Sequence, residues 1–251
     1  MTPANLTEAI DALAGYLRSA TRIACLTGAG MSTESGIPDY RSSSTGLYRT
    51  LTSEEVFDIQ RFRSDPSDFY RVIGPLYISI EEAKPNVGHL ALAELAERCG
   101  KSVKIATQNI DGLHQKAGRV DVYEVHGTMR TLTCLSCGGQ VDSGSQRERL
   151  QAGELLRHHC NGVLKPDITF YGEMLPSKPL ALARQAMLEA DLVMVLGTSL
   201  LVYPAAALPS MRSQGCPLVI INRDATAMDD QANLVINDSI GSVLPQAVAK
   251  L

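Results

Sequence analysis

Thr27-Gly28-Ala29-Gly30-Met31-Ser32-Thr33-Glu34-Ser35-Gly36-Ile37-Pro38-Asp39-Tyr40-Arg41 is the stretch on which the fold turns. It follows Ile23-Ala24-Cys25-Leu26, a short, partly β-branched apolar run that reads as a buried strand closed by glycine. Gly28 and Gly30 lack a Cβ, so the backbone can turn sharply there and approach a ligand. A short helix is expected next, and the free N–H groups of its first turn suit an anion such as a pyrophosphate. Thr33 replaces the third glycine of the usual dinucleotide fingerprint, so Gly-x-Gly alone fits a tight strand-to-helix turn equally well. The continuation from Ser35 to Arg41, polar and braced by Pro38, is too particular for a mere turn and favours binding.

The remaining strands repeat this grammar. Val103-Lys104-Ile105-Ala106, Val122-Tyr123-Glu124-Val125, Leu192-Val193-Met194-Val195-Leu196, Leu218-Val219-Ile220-Ile221 and Leu234-Val235-Ile236 alternate with helical patterns. The helical patterns include residues 6–17, with Leu6, Ile10, Leu13 and Leu17 in phase, the segment opened by Pro85-Asn86, the segment 180–190 and a terminal helix. Uniformly apolar strands alternating with helices predict an α/β fold, a doubly wound parallel sheet with helices on both faces. Residues 53–82 carry Phe57, Phe62, Phe69, Tyr70 and Tyr77 on helices expected to break at Pro66 and Pro75; these aromatics read as core.

Polar residues crowd the strand ends. Gln108, Asn109 and Asp111 follow the second strand, where a helix cap needs only one such residue; a ligand crevice explains three, with Ile110 among them. His126 ends the next strand. It is either a structural hydrogen-bonding residue or a proton acceptor that works near neutral pH, given space by Gly127. Gly197-Thr198-Ser199 forms a second glycine loop, and Asn222 closes another strand.

Cys134-x-x-Cys137-Gly138-Gly139 has the form of a zinc knuckle, and Cys160 lies at a suitable distance for a second half-site. A redox Cys-x-x-Cys is the alternative, but no thioredoxin-like helix follows it. Cys25, Cys99 and Cys216 sit singly among apolar residues and read as packing.

The chain has 251 residues, 45% hydrophobic and 20% charged, which suits one large domain or a domain with a smaller insertion. A net charge of −4 supplies no basic field for nucleic acid. The uncharged stretch 192–211 is long enough for a membrane span, but Gly197-Thr198-Ser199, Pro204 and Pro209 interrupt it, so strand, polar loop and helix is the better reading. Met1-Thr2-Pro3-Ala4-Asn5 lacks the marks of a signal peptide, and a cytoplasmic enzyme is expected.

Gly28-Ala29-Gly30 through Arg41, Pro85-Asn86-x-x-His89, Thr107-Gln108-Asn109-Ile110-Asp111-x-Leu113, His126-Gly127, Cys134-x-x-Cys137, Phe170-Tyr171-Gly172-Glu173, Gly197-Thr198-Ser199 and Ile221-Asn222 stand in one order over nearly the whole chain. In that order they resemble the sirtuins, NAD-dependent protein deacylases, in their bacterial-type core. The resemblance implies a Rossmann-type NAD domain (residues 1–41, 83–127 and 166–251). It also implies a helical insertion (42–82) and a zinc-binding insertion (128–165), with NAD and an acyl-lysine protein or peptide meeting between them. Gly28, Ala29, Gly30, Thr33, Pro38, Asp39, Tyr40 and Arg41 would hold the cofactor phosphates and cover the nicotinamide ribose. Ile37 and Asp111 would bind the carboxamide, with Ile110 beside them, and Gln108 and Asn109 the ribose hydroxyls. Gly197, Thr198, Ser199, Asn222 and Ile240 would contact the adenosine half. Val163-Leu164 and Tyr171-Gly172-Glu173 would flank the substrate backbone. His126, Asn109 and Asp111 form the catalytic set, with His126 as general base. The implied products are free lysine, nicotinamide and O-acetyl-ADP-ribose.

Two positions depart from the family pattern. Tyr40 replaces the usual Phe, and Arg157 stands where a third zinc cysteine is expected. Arg157 cannot ligate, because its guanidinium stays protonated. His158 is the preferred fourth ligand beside Cys134, Cys137 and Cys160; His159, or a module that has lost tight zinc, is the alternative. Tyr70-x-x-Ile73 aligns with a Tyr-x-x-Arg pair found in acidic-acyl enzymes, and the apolar Ile73 favours neutral acyl groups. An ADP-ribosyltransferase or NAD hydrolase of the same type is the nearest rival. A dehydrogenase would want an acidic ribose partner after the second strand, and a zinc-knuckle interaction module would explain the cysteines alone.

Overall fold

A computed structural model describes residues 5–37, 53–118 and 121–251. Among them nine strands form two sheets. Six are parallel and hydrogen-bonded in the order β3-β2-β1-β7-β8-β9: β1 Arg22–Thr27, β2 Ser102–Thr107, β3 Asp121–Glu124, β7 Leu192–Leu196, β8 Leu218–Ile221 and β9 Leu234–Ile236. Successive side chains of β1 leave opposite faces, and both faces are covered. Ile23 and Cys25 enter one core with helices α1 (Leu6–Ser19), α5 (Val87–Glu97) and α9 (Ile240–Val248). Ala24 and Leu26 enter another, with α8 (Ser177–Glu189). That is why the strands read as unbroken apolar runs.

A smaller lobe carries the antiparallel sheet β5-β4-β6: β4 Gly127–Cys134, β5 Gln140–Asp142 and β6 Leu164–Ile168. Its core also takes in the short helices α2 (Ser53–Val56) and α3 (Ile59–Ser64), α4 (Ser67–Glu82) and α7 (Arg147–Gln151), so one apolar cluster joins two separate chain segments. Phe62, Phe69, Tyr70 and Tyr77 are buried there, and Phe57, Phe62 and Phe69 meet Phe170 ring to ring. Asp167 ties the three strands by accepting from Thr131, Thr133 and Gln140.

Two local expectations need correction. Pro66 caps α4, but Pro75 lies inside it and does not break it. Pro75 is exposed, while Phe69, Tyr70, Ile73, Leu76, Tyr77 and Ile80 form a buried stripe on both sides of it. That shared burial outweighs the roughly 3 kcal/mol an internal proline costs. Gly127, expected to leave the His126 imidazole room, answers to a further demand. Its φ is +82°, and a Cβ there would lie 2.0 Å from the carbonyl oxygen of Asp167, so the approach of β4 to β6 is what demands glycine. The second correction concerns the glycine-rich stretch, which forms two single 3₁₀ turns, Ala29–Met31 and Thr33–Ser35, in place of a helix. The uncharged stretch 192–211 resolves into β7, a loop and the 3₁₀ segment Ala205–Met211. Among the described residues no helix is long and apolar enough to cross a membrane.

Candidate active site

The strand order reverses at β1, which pairs with β2 on one side and β7 on the other. Loops leaving β1 and β7 therefore diverge around a crevice at the strands' carboxyl ends, the usual ligand position in such sheets. Here they interlock. Gly28 N–H donates to Leu196 O (3.1 Å) and Gly30 N–H to Gly197 O (2.9 Å). A Cβ on Gly28 would meet Thr198 Cβ at 2.7 Å, and one on Gly30 would meet Gly197 Cα at 2.8 Å. These glycines thus admit the second glycine loop as well as any ligand.

Above them opens a cavity of about 1350 Å³. It brings together Ala29, Gly30, Thr33, Ile37, Gln108, Asn109, Ile110, Asp111, His126, Tyr171, Gly172, Glu173, Gly197, Thr198, Ser199, Asn222 and Ile240. Gly28 contributes behind the wall, its carbonyl accepting from Asn109 Nδ2 (2.9 Å). Pro38, Asp39, Tyr40 and Arg41 lie outside the described residues.

Val163 and Leu164 do not line the cavity, a correction to the expected site. Val163 O accepts from Leu135 N–H, and Leu164 donates its N–H to Leu156 O while its carbonyl accepts from Tyr70 Oη. Their backbone groups hold the smaller lobe together. Tyr171 does line the cavity, but its N–H and C=O already pair with Phe57 O (2.7 Å) and Ile59 N–H (3.1 Å). Glu173 is committed too: its carboxylate takes Lys165 Nζ at 2.8 Å and Phe170 N–H at 2.9 Å. Lys165 is 7% exposed, gives further hydrogen bonds to Pro166 O and Ile168 O, and lies 4.2 Å over the Phe170 ring. Burial pulls its ammonium pKa down, and Glu173 opposes that shift.

The cavity floor is built around Ser32, which the sequence did not single out. Ser32 Oγ accepts from Asn109 Nδ2 (3.1 Å) and donates to Asp111 Oδ2 (2.7 Å). Asp111 Oδ1 accepts from Leu113 N–H (2.9 Å), so this carboxylate also opens the short helix α6, Leu113–Ala117. The N-cap position itself is Gly112, so Asp111 braces the helix start from one residue ahead while also forming the cavity wall. Burial raises the Asp111 pKa, opposed by the Leu113 and Ser32 hydrogen bonds. Gln108 Nε2 reaches Thr198 Oγ1 (3.2 Å), tying the two loops once more. His126 is half-buried, and its carbonyl accepts from Thr169 N–H (2.8 Å), which places the segment after β6 beside it. Leu201, Val202, Tyr203 and Pro204 form a wall unforeseen from sequence; Leu201 and Tyr203 are 66% and 71% exposed. A run of apolar residues after a strand looks like core, which hid them.

In the smaller lobe, one donor atom from each of Cys134, Cys137, His158 and Cys160 lies within 4.8 Å of all the others. His158 Nδ1 is 3.2 Å from Cys137 Sγ and 3.4 Å from Cys160 Sγ. Cys160 Sγ is 3.5 Å from Cys134 Sγ and 3.4 Å from Cys137 Sγ. Three thiolates and one imidazole at such spacing suit tetrahedral zinc. His159 stands outside the cluster, its ring tilted 46° against that of His158 at 3.8 Å between centroids. Arg157 closes the turn instead, donating to Asn161 O (2.8 Å). Gly139 makes space for the imidazole, since a Cβ there would fall 2.6 Å from His158 Cε1.

A parallel sheet whose switch-point loops frame a polar cavity, joined to a knuckle of zinc-type donors, defines an α/β nucleotide-dependent enzyme with a structural metal lobe. Comparison with known proteins narrows this class. The Sir2 family model matches residues 28–204. The NAD-dependent protein deacetylase of Cutibacterium acnes is 43% identical over 242 residues, covering 93% of this chain and 95% of that protein. NAD-dependent protein deacetylase 2 of Caldanaerobacter subterraneus subsp. tengcongensis is 40% identical over 233 residues, 92% and 91% of the two chains. A solved Sir2 structure with a p53 peptide and NAD+ superposes with a TM-score of 0.86 at 37% identity, covering 96% of this chain and 98% of that one. Another, holding a deacetylated p53 peptide and 3'-O-acetyl ADP ribose, gives 0.88 at 36% identity with the same coverage. The chain belongs to the Sir2 family.

Proposed function

We propose that this protein is an NAD-dependent protein-lysine deacetylase that releases nicotinamide and O-acetyl-ADP-ribose. One observation carries the reading: Asn109, Ser32 and Asp111 form a hydrogen-bonded polar floor in the same cavity that His126 and the segment Ile168–Leu175 border. NAD, when bound, supplies a ribose carbon that can exchange nicotinamide for an acyl oxygen. Ala29, Gly30, Thr33, Gln108 and Asn109 are assigned to its phosphates and ribose, and Ser199, Asn222 and Ile240 to its adenosine half. Asp111 is assigned to the nicotinamide carboxamide, because its buried carboxylate is an acceptor for amide N–H groups. His126 is assigned as general base, taking a proton from a ribose hydroxyl. Cys134, Cys137, His158 and Cys160 would hold zinc, which cross-links the smaller lobe without taking part in the reaction.

The substrate is an acyl-lysine peptide bound along Gly172 and the Leu201–Pro204 wall. Tyr70 and Ile73 are core residues, and Arg71 turns outward to Asp68 (3.0 Å), so none of the three selects the acyl group. The preference for neutral acyl chains rests on Ile37, Phe57, Ile80, Ile110, Ile168 and Phe170, an apolar lining in which an acyl carboxylate would lack a partner. The division at residues 41/42, 82/83, 127/128 and 165/166 is our working boundary between the nucleotide domain and its two insertions. A cytoplasmic setting belongs to the same reading, since a thiol-rich metal cluster needs reduced cysteines. The test is to incubate protein, NAD and an acetyl-lysine peptide and weigh the products. Equal amounts of deacetylated peptide, nicotinamide and acetyl-ADP-ribose are expected. A peptide gaining ADP-ribose, or free ADP-ribose alone, would reassign the enzyme as a transferase or NAD hydrolase.

A further inference from the structure

Two buried imidazoles lie behind the cavity floor. His89 on α5 and His114 on α6 are each 1% exposed, with ring centroids 4.8 Å apart. Hydrogen-bonded paths run to each of them from the same loop, Met31–Ser35. Asn86 Nδ2 donates to Met31 O (2.8 Å) and to Ser35 Oγ (3.1 Å), and its backbone N–H donates to His89 Nδ1 (3.4 Å). On the other side, Ser32 Oγ accepts from Asn109 Nδ2, and Asn109 N–H donates to Thr107 Oγ1 (3.0 Å). Thr107 Oγ1 accepts from Thr27 Oγ1 (2.8 Å), which sits 3.0 Å from His114 Nε2. The path leaves the loop at Met31–Ser35 and returns to it at Ser32, with a single link absent. The two nitrogens left over are His89 Nε2 and His114 Nδ1, on rings whose centroids are 4.8 Å apart, both buried and without a partner among the described residues.

The tautomers decide what fits the gap. His89 Nδ1 accepts from Asn86 N–H, so the neutral ring carries its proton on Nε2. Thr27 gives its hydroxyl proton to Thr107, so its lone pair receives the Nε2–H of His114, and His114 Nδ1 is left bare. One orphan is a donor and the other an acceptor. A water molecule can accept from the first and donate to the second, and a buried water needs at least two such partners. Burial keeps both rings neutral, holding His89 down to about 4 and His114 well below the usual histidine range, with His89 adding to the shift on His114.

We propose that one buried water bridges His89 Nε2–H and His114 Nδ1, and that the closed circuit makes both histidines positioning residues for Ser32 and Asn109. Neither ring lines the cavity, so their effect on the reaction passes through those two side chains. The proposal rests on the assignment of Asn109 to the cofactor ribose.

Two measurements on the full chain test it. Nitrogen-15 NMR of the histidine side chains at pH 7 should show both rings neutral and protonated on Nε2, and a high-resolution crystal structure should show the bridging water. A proton on His114 Nδ1, or an empty gap, overturns the circuit whatever the enzyme's activity proves to be. Kinetics then test the positioning role. His89→Asn keeps an acceptor for Asn86 N–H but has no Nε2–H, and should raise KM for NAD by about tenfold, the range set by an unsatisfied buried group, with a smaller effect on kcat. His89→Gln returns a donor at that reach and should recover most of the loss. If His89→Asn does not fold, Thr27→Val breaks the circuit at its far end with little change of shape, and the same KM shift is expected. A lowered melting temperature with unchanged KM for NAD would make the pair purely structural and overturn the positioning role.

Discussion

Four of the five histidines come as two pairs, and the pairs have opposite surroundings. His89 and His114 lie under the cavity floor with both rings almost sealed from water. His158 and His159 meet at a tilt at the surface of the smaller lobe, the first half-buried and the second exposed. In the buried pair each ring already has one hydrogen-bond partner, so the second nitrogen is what remains to be satisfied. In the surface pair, sulfur atoms surround one nitrogen of His158, and His159 is left beside it. The lesson is that adjacency says little about an imidazole. What touches its second nitrogen decides whether it holds a loop, a metal or nothing.

The largest effect is expected from the fifth histidine, which belongs to neither pair. His126→Ala should lower deacetylation by about two to four powers of ten while melting temperature and metal content stay close to wild type. Near-normal turnover would move His126 into the structural class with the buried pair. Next comes the surface pair. His158→Ala should cut zinc content by elemental analysis well below one equivalent per chain and destabilise the smaller lobe, whereas His159→Ala should retain the metal. Equal retention in both variants would show that another group completes the site, and the contrast between neighbours would fail.

The buried pair predicts acid sensitivity. Its folded-state pKa values lie below the usual 6.5 or so, because burial disfavours the charged ring. Below about pH 6.5 the unfolded chain binds protons that the folded chain does not. Stability is therefore fully present above that pH and is lost as pH falls toward about 4, at up to roughly 1.4 kcal/mol per pH unit for each histidine. Urea titrations between pH 7 and 5 should show a shallower slope in His114→Gln. An unchanged slope would mean that the two rings are not the source. The smallest effect is expected at Arg71. Arg71→Ala removes an exposed pair with Asp68 and should change stability by about 0–1 kcal/mol, leaving the acetyl-to-succinyl preference unmoved. A shift in that preference would bring Arg71 back to the acyl pocket.

Much of this was legible in the sequence, for a definite reason. Strands buried on both faces must be apolar throughout, so the parallel sheet announces itself as a series of hydrophobic runs. The polar clusters at their ends then mark the crevice, as Gln108 to Asp111 did. His158 was reachable because an arginine cannot ligate, which left few donors nearby. The misses share a different cause. Ser32 is one small polar residue in a loop full of them, and only the approach of Asn109 and Asp111 gives it meaning. Val163 and Leu164 look like any extended segment, and their pairing with Leu135 and Leu156 is not written locally. Pro75 carries a local breaking signal that tertiary burial overrules. Gly127 shows the same blindness: its neighbour across the sheet, Asp167, lies forty positions further along.

The interlock of the two glycine loops bears on how the enzyme is made. Gly28 and Gly30 are bonded to Leu196 and Gly197, residues that leave the ribosome long after them. Until β7 is synthesised, β1 lacks its partner on that side, and the first glycine loop has nothing to lean on. Such distant pairings form slowly because a long chain must be closed first. The cofactor crevice thus comes into being only once about four-fifths of the chain exists, and a nascent chain halted short of Leu196 lacks one of its two walls.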